Sequence, residues 1–269
     1  MVTISALNSA LAQMQTSGGF DFSVLIKGGR SGSAPAVDGG SVAVALQQAE
    51  KNEAKQLAQV SKSPLIQKDL ARYAKVVKSA KTIDDVLNDP IARKVFMKAN
   101  GLGAHVDAIA MAKKAIKSDP TDGNSLANKL ASTNGAWMEV ATKFNFPLFG
   151  LTALKTTGSL KEVSDDYIAE LRLDQLDQQV PGLGSAVLFK SIAKNLDTAI
   201  KILGSGLGRE VVTTALGLPK QIALQSLDAQ VKAVEQRLDP KKLQDEEFVN
   251  RLVQRYLIQL NGGAGGVTA

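Results

Sequence analysis

The sequence predicts an all-α protein, a multi-helix bundle of short and medium helices. Three observations lead to this prediction. Apolar side chains recur every three to four residues through most of 41–260, Asp-Pro pairs stand before several of these periodic segments, and Gly-Leu pairs follow two of them. No segment shows the alternation of apolar and polar residues between turn pairs that is expected of a half-buried strand.

The first two helices are predicted from composition and periodicity. Ala, Gln, Lys and Glu dominate residues 44–60, and these residue types favour helix. Pro64 opens the second helix. Its apolar face consists of Ile66, Leu70, Tyr73 and Val77. Its opposite face carries Lys68, Arg72, Lys75 and Lys78. The second helix is therefore predicted to be amphipathic, with an apolar inner side and a basic outer side.

Capping residues mark the later helices. An Asp-Pro pair supplies an N-cap carboxylate and a first helical residue that needs no amide hydrogen bond. Such pairs are Asp89-Pro90, Asp119-Pro120 and Asp239-Pro240. Gly101-Leu102 and Gly217-Leu218 are typical of Schellman endings. The expected helices cover 90–100, 105–118, 124–131, 135–144, 164–180, 185–203, 206–216, 227–238 and 241–260.

The two ends of the chain differ from this helical middle. Residues 1–40 are low in charge and rich in Ser, Ala and Gly, and we predict a flexible tail there. The Gly-rich residues 261–269 are predicted to be a second flexible tail. The helical domain then spans 41–260. A break near 146–162 would divide it into two packed helical subdomains. The sequence does not decide between one domain and two subdomains.

The net charge of +6 is concentrated in one third of the chain. Residues 41–118 hold 14 Lys and Arg against 7 Asp and Glu, whereas the 40 residues before them are neutral and the remainder is close to neutral. Such an excess suits nucleic acid, an acidic surface or an acidic protein. The simpler interpretation is a solvated helix face, because the bases are mostly Lys and carry few aromatic neighbours.

Composition excludes several classes of site. The chain has no Cys and one His, which removes disulfide frameworks, iron–sulfur clusters, zinc fingers and multi-His metal sites. No uncharged stretch approaches the roughly 20 apolar residues of a membrane span. The first residues lack the basic and apolar regions of a cleaved signal peptide. We therefore expect no metal, no cofactor and no membrane span.

Four motifs resemble parts of known sites, and each has a simpler structural explanation. His105 is the lone imidazole, and it has no neighbouring Cys or clustered carboxylates in the sequence. Ser191 and Lys194 have the S-x-x-K spacing of a nucleophile on a helix, without its partner motifs. Residues 119–125 resemble a calcium loop in the wrong register. Residues 204–209 are Gly-rich before a helix, which suits an anion or a flexible connection.

Aromatic residues are concentrated at one place in the chain. Trp137, Phe144, Phe146 and Phe149 lie within 13 positions in a chain that is 4% aromatic. These rings are expected to pack in the core or at the subdomain junction. The alternative, an exposed binding patch, stays open at this stage.

An ordered set of segments resembles the alphaproteobacterial family called domain of unknown function 1217. The segments are 81–89, 97–102, 124–130, 141–146, 209–219 and 227–230, and the resemblance covers about residues 65–260. It implies an all-helical fold and no known catalytic residues. Members of the family tend to be encoded near flagellar genes, which implies a structural or accessory role in flagellar assembly.

These observations lead to a functional expectation. We expect a non-enzymatic helical protein that binds another protein, through the N-terminal tail and the basic face of Lys68, Arg72, Lys75 and Lys78. The resemblance implies flagellar components as partners, and a location in the cytoplasm or export by a flagellar-type route without a cleaved signal. An anion- or nucleic-acid-binding protein using 41–118 is the alternative. A hydrolase built on Ser191 and Lys194 is the third.

Overall fold

The structure, a computed structural model, describes residues 39–131 and 133–262. These ranges contain helices and turns and no strand, so the all-α prediction is confirmed. In chain order the α-helices are α1 (Gly39–Lys51), α2 (Glu53–Lys62), α3 (Pro64–Ser79), α4 (Ile83–Asn88), α5 (Pro90–Ala99), α6 (Ile109–Ile116), α7 (Leu126–Ala131), α8 (Ala136–Phe144), α9 (Phe146–Phe149), α10 (Thr157–Gln179), α11 (Leu183–Ile192), α12 (Ala199–Gly204), α13 (Gly206–Ala215), α14 (Leu227–Glu235) and α15 (Glu246–Leu260). Short 3-10 turns lie at Gly103–His105, Ala193–Asn195, Lys220–Leu224 and Pro240–Gln244.

Buried apolar side chains form two clusters. The first, here the central core, follows the chain from Tyr73 to Tyr167. The second, here the terminal core, combines α1 with residues between Leu176 and Leu257. The long helix α10 contributes to both, since Tyr167 lies in the central core and Leu176 in the terminal core. The subdomain junction proposed near 146–162 stays a prediction.

The two glycine endings are confirmed in detail. Gly101 and Gly217 have φ values of 69° and 64°, in the left-handed region that favours glycine. The amide of Leu102 donates to the Met97 carbonyl at 2.8 Å, and that of Leu218 donates to the Thr213 carbonyl at 2.9 Å. These are the six-to-one hydrogen bonds of the Schellman motif.

The three Asp-Pro pairs have different outcomes. Asp89 caps α5 as predicted, because its carboxylate accepts from the amides of Ile91 and Ala92. Asp239 caps a 3-10 turn, and the last helix begins later, at Glu246. The prediction for Asp119 is wrong. Its carboxylate accepts from both the amide and the hydroxyl of Thr121, which closes a local turn in place of a helix.

The helix predicted over 44–60 is divided at Asn52 into α1 and α2. Arg172 of α10 binds at this division. Its guanidinium donates to the Ala49 carbonyl at 2.6 Å, and a continuous helix would offer that carbonyl to the Glu53 amide. The same guanidinium donates to Gln56 Oε1 at 3.0 Å and to Glu53 Oε1 at 3.2 Å. One buried side chain therefore joins the first two helices to α10.

Other observed helix boundaries also differ from the predicted ones. The helix predicted over 185–203 is divided, and α12 starts only after Thr198, whose hydroxyl accepts from the Lys201 amide. α10 starts at Thr157, seven residues before its predicted start, with Thr156 as its N-cap. α1 begins two residues before the predicted helical domain. The predicted tails otherwise lie outside the described residues, apart from Asn261 and Gly262.

Candidate interaction surface

The predicted basic face lies on the outer side of α3. Pro64 stands at the first position of this helix, where its missing amide costs no hydrogen bond. Tyr73 and Val77 are fully buried on the inner side. The four predicted residues, Lys68, Arg72, Lys75 and Lys78, are all exposed. The periodicity that buries the apolar stripe thus directs the four bases to solvent.

A buried polar contact fixes the inner side of α3. Asp69 is 6% exposed, and its Oδ2 accepts from Lys94 Nζ at 2.6 Å and from the Tyr167 hydroxyl at 3.0 Å. Burial, and next the hydrogen bond to the Asp69 carboxylate, raise the pKa of Tyr167. The phenol therefore stays protonated and donates. Sequence reasoning did not find this cluster, because its members are 25 and 98 positions apart from Asp69.

Arg72 differs from the three lysines of the face. Its Nη2 and Nε atoms donate to Asp89 Oδ2 at 2.6 and 2.9 Å, while the other oxygen of Asp89 caps α5. Burial by itself would raise the pKa of Asp89, but the Arg72 hydrogen bond and the Ala92 and Ile91 amides outweigh it and lower the pKa. Arg72 therefore joins α3 to α5, and its charge is already partly compensated.

The acids of residues 41–118 are used almost entirely within the fold. Five of them form ion pairs: Glu50, Glu53, Asp69, Asp84 and Asp89. Asp85 closes a capping box with Thr82 at the start of α4. The excess positive charge of this region therefore lies mainly on its lysines, while Arg93 is buried and donates to the Val106 and Leu87 carbonyls.

Lysines carry this excess at the surface. Among the residues that the structure describes, eight lysines between 41 and 118 are exposed and have no side-chain hydrogen bond or ion pair: Lys51, Lys55, Lys62, Lys68, Lys75, Lys78, Lys81 and Lys114. Three of them lie on α3. The predicted basic face is thus three uncompensated ammonium groups and one paired guanidinium.

The aromatic cluster is divided between core and surface. Trp137, Phe144 and Phe146 are buried, and the Phe144 and Phe146 rings stack with centroids 5.4 Å apart. Phe149 is 54% exposed, next to Leu148 at 70%. The expectation of core packing is confirmed for the first three rings and is wrong for Phe149, which lies with Leu148 at the exposed end of the short helix α9.

The catalytic alternatives are not assembled in the described residues. The Ser191 hydroxyl donates to the Leu188 carbonyl at 2.7 Å. α11 ends at Ile192, so Lys194 lies in the following 3-10 turn and the two side chains do not share one α-helical face. His105 also lies in a 3-10 turn, where its ring packs against Trp137 with centroids 5.3 Å apart. Both observations fit structural roles.

The two loop motifs also serve the fold. Ser205 caps α13 through the Gly208 amide, and a Cβ at Gly208 would come within 2.9 Å of the Ile202 carbonyl. The Gly-rich segment thus allows α12 and α13 to approach closely. Asp122, in the calcium-like loop, accepts from the Asn124 amide. In the described ranges no group of three or more His, Asp or Glu is placed to hold a metal ion.

No described helix combines the length and the apolar character that crossing a bilayer requires.

The structure thus defines a class of protein: an all-helical chain with two buried cores joined by one long helix and an exposed lysine-bearing face. The family described as protein of unknown function DUF1217 matches residues 99–249, more than half of the sequence. The chain belongs to this family. The match begins after α3, so the lysine-bearing helix lies outside the matched residues.

A solved structure gives independent support for the fold. This structure is the crystal structure of an Agrobacterium tumefaciens protein that was a structural genomics target. That protein is 24% identical to this chain. The TM-score is 0.67, and the likeness covers 87% of this chain and 99% of that one. At this level of identity it shows a shared fold. No curated protein matches the sequence.

Proposed function

We propose that the chain is a non-enzymatic protein that binds another protein, as an accessory or structural factor in flagellar assembly. The observation that carries the binding proposal is the outer face of α3. Lys68, Lys75 and Lys78 are exposed there without an acidic partner among the described residues, while nearby acids are engaged in the fold. The flagellar setting is supported by the family resemblance, whose members tend to be encoded near flagellar genes.

A rigid support makes this face suitable for binding. The Asp69 contact with Lys94 and Tyr167 and the Arg72 contact with Asp89 hold α3 against α10 and α5. A partner would therefore bind ammonium groups on a fixed helix. Because the α3 backbone is already ordered, binding would cost little conformational entropy in this chain.

Co-purification from a flagellated host tests the proposal. We expect the tagged full-length chain to recover a flagellar component, and the variant K68E/K75E/K78E to lose it, because three attractive contacts become repulsive. The control K220E/K232E/K241E changes the net charge equally at exposed lysines elsewhere and should retain the component. Recovery of no flagellar component, from cells or from filaments, would contradict the proposal.

An anion- or nucleic-acid-binding function is the second candidate, and the exposed lysines of 41–118 that form no ion pair favour it. Phosphate contacts release counterions, so the affinity for duplex DNA should fall steeply as salt rises. A salt titration with duplex DNA and with acidic lipid vesicles measures this dependence. Absence of binding to both at low salt would remove this candidate.

A further inference from the structure

The outer face of α3 carries an apolar residue as well as charges. Leu65 is 67% exposed, and it stands three residues before Lys68 and seven before Arg72. Residues at these spacings lie on one face of an α-helix. We define the α3 outer face as Leu65, Lys68, Arg72, Lys75 and Lys78. It begins with an apolar side chain and continues with positive charge.

We infer that the partner of this face is an acidic amphipathic segment of another protein, which lies along α3 with an apolar side chain on Leu65 and carboxylates on the lysines. The inference rests on the proposed function and names the chemistry of its partner. Lys68 and Lys75 are seven residues apart, about 10 Å along the helix axis. Carboxylates seven residues apart on a partner helix have the same spacing, so the two helices match over two turns.

Charge and side-chain type favour this occupant over nucleic acid. The guanidinium of Arg72, the group best suited to bidentate phosphate recognition, is engaged by Asp89. Tyr73, the aromatic residue of α3, is fully buried and cannot stack on a base. Leu65 adds contact area for an apolar side chain and none for a phosphate.

Charge also argues against a second copy of this chain. A symmetric contact through this face would place one set of lysines against the same lysines of the other copy. Like charges brought together without compensation are unfavourable. The face therefore needs a partner of opposite charge.

Binding to defined probes tests the inference with the full-length chain. The probe is a fluorescent helical peptide with Glu at the spacing of Lys68, Lys75 and Lys78 and Leu three positions before the first Glu. A peptide with Gln in place of Glu, duplex DNA and anionic phosphatidylglycerol vesicles are the comparison probes. We expect K68E/K75E/K78E to weaken binding of the acidic peptide at least about tenfold at low salt, and K220E/K232E/K241E to change it less than about twofold.

A single substitution separates the protein partner from phosphate. Leu65→Ser should weaken binding of the acidic peptide by about threefold, because apolar contact is lost, and should leave the affinity for DNA unchanged. A helical circular dichroism spectrum and an unchanged melting temperature establish that each variant is folded. The milder K68Q/K75Q/K78Q replaces any charge reversal that fails this control.

Three results would overturn the inference: tighter binding of DNA or vesicles than of the acidic peptide, peptide binding that K68E/K75E/K78E does not weaken, and peptide binding that Leu65→Ser leaves unchanged. Co-purification keeps the two proposals distinguishable. A flagellar component that stays bound to K68E/K75E/K78E would refute the α3 outer face as its site and leave the proposed function standing. If the wild-type chain recovers no flagellar component, the proposed function is refuted, and the peptide measurements still decide the inference.

Discussion

Replacing Arg172 by alanine is expected to lower the free energy of unfolding by about 3 kcal/mol, at the lower end of the range for breaking a buried ion pair. The Arg172 side chain is 4% exposed and donates to Gln56, Glu53 and the Ala49 carbonyl. Its removal leaves the buried carbonyl without this donor and opens space between α10 and the first two helices. The Glu53 carboxylate is 57% exposed, so water compensates part of the loss.

Urea denaturation followed by far-ultraviolet circular dichroism measures this change. Arg251→Ala is the matched control, because Arg251 is 65% exposed and lies 3.7 Å from Glu247. It should cost less than about 0.5 kcal/mol. Hydrogen exchange should show the greatest loss of protection in α1 and α2. A loss below about 1 kcal/mol for Arg172→Ala would show that Arg172 is not what joins these helices to α10.

Replacing Phe96 by alanine is expected to lower the free energy of unfolding by about 3–5 kcal/mol, since a buried aromatic ring is lost and a cavity remains. Phe96 is fully buried in the central core, with its ring centroid 5.5 Å from that of Phe144 and 6.3 Å from that of Phe146. The same denaturation experiment measures the effect.

Phe149→Ala removes the same side chain from an exposed position and serves as the control. Because Phe149 is 54% exposed, we expect less than about 1 kcal/mol for this variant. Comparable losses for the two variants would contradict the division of the aromatic cluster into buried and exposed rings.

The solvent-facing side of α3 follows from local sequence pattern, whereas the pairing of its charges does not. An apolar stripe at helical spacing already predicts which side of α3 is buried, and the opposite residues are then solvent-facing wherever the helix packs. On that basis Lys68, Arg72, Lys75 and Lys78 are predicted to face solvent, and all four are exposed. The difference between Arg72 and the lysines was not predictable, because it depends on Asp89, seventeen positions along the chain.

Helix boundaries also fall into two groups, those that neighbouring residues predict and those that they do not. The Schellman endings at Gly101 and Gly217 depend on the residues next to them, and both were predicted. Beside the break at Asn52, the Ala49 carbonyl accepts from the Arg172 guanidinium, 123 positions further along the chain, and no local pattern predicts this contact. The prediction that Asp119 caps a helix is wrong for a local reason. Thr121, two residues later, donates to the Asp119 carboxylate from both its amide and its hydroxyl, and these hydrogen bonds compete with helix initiation.

The amino-acid sequence by itself determined the helical class, the glycine endings, the Asp89 cap and the side of α3 that faces water. These features depend on backbone preference, side-chain periodicity and neighbouring groups, all of which act over a few residues. Tertiary structure alone decided that two buried cores share α10, that Arg172 joins the first helices to it, and that acids of 41–118 are used within the fold. Those features depend on which distant groups come into contact when water is excluded from the folded chain. A lysine need not form its ion pair with the carboxylate that is nearest to it in the sequence.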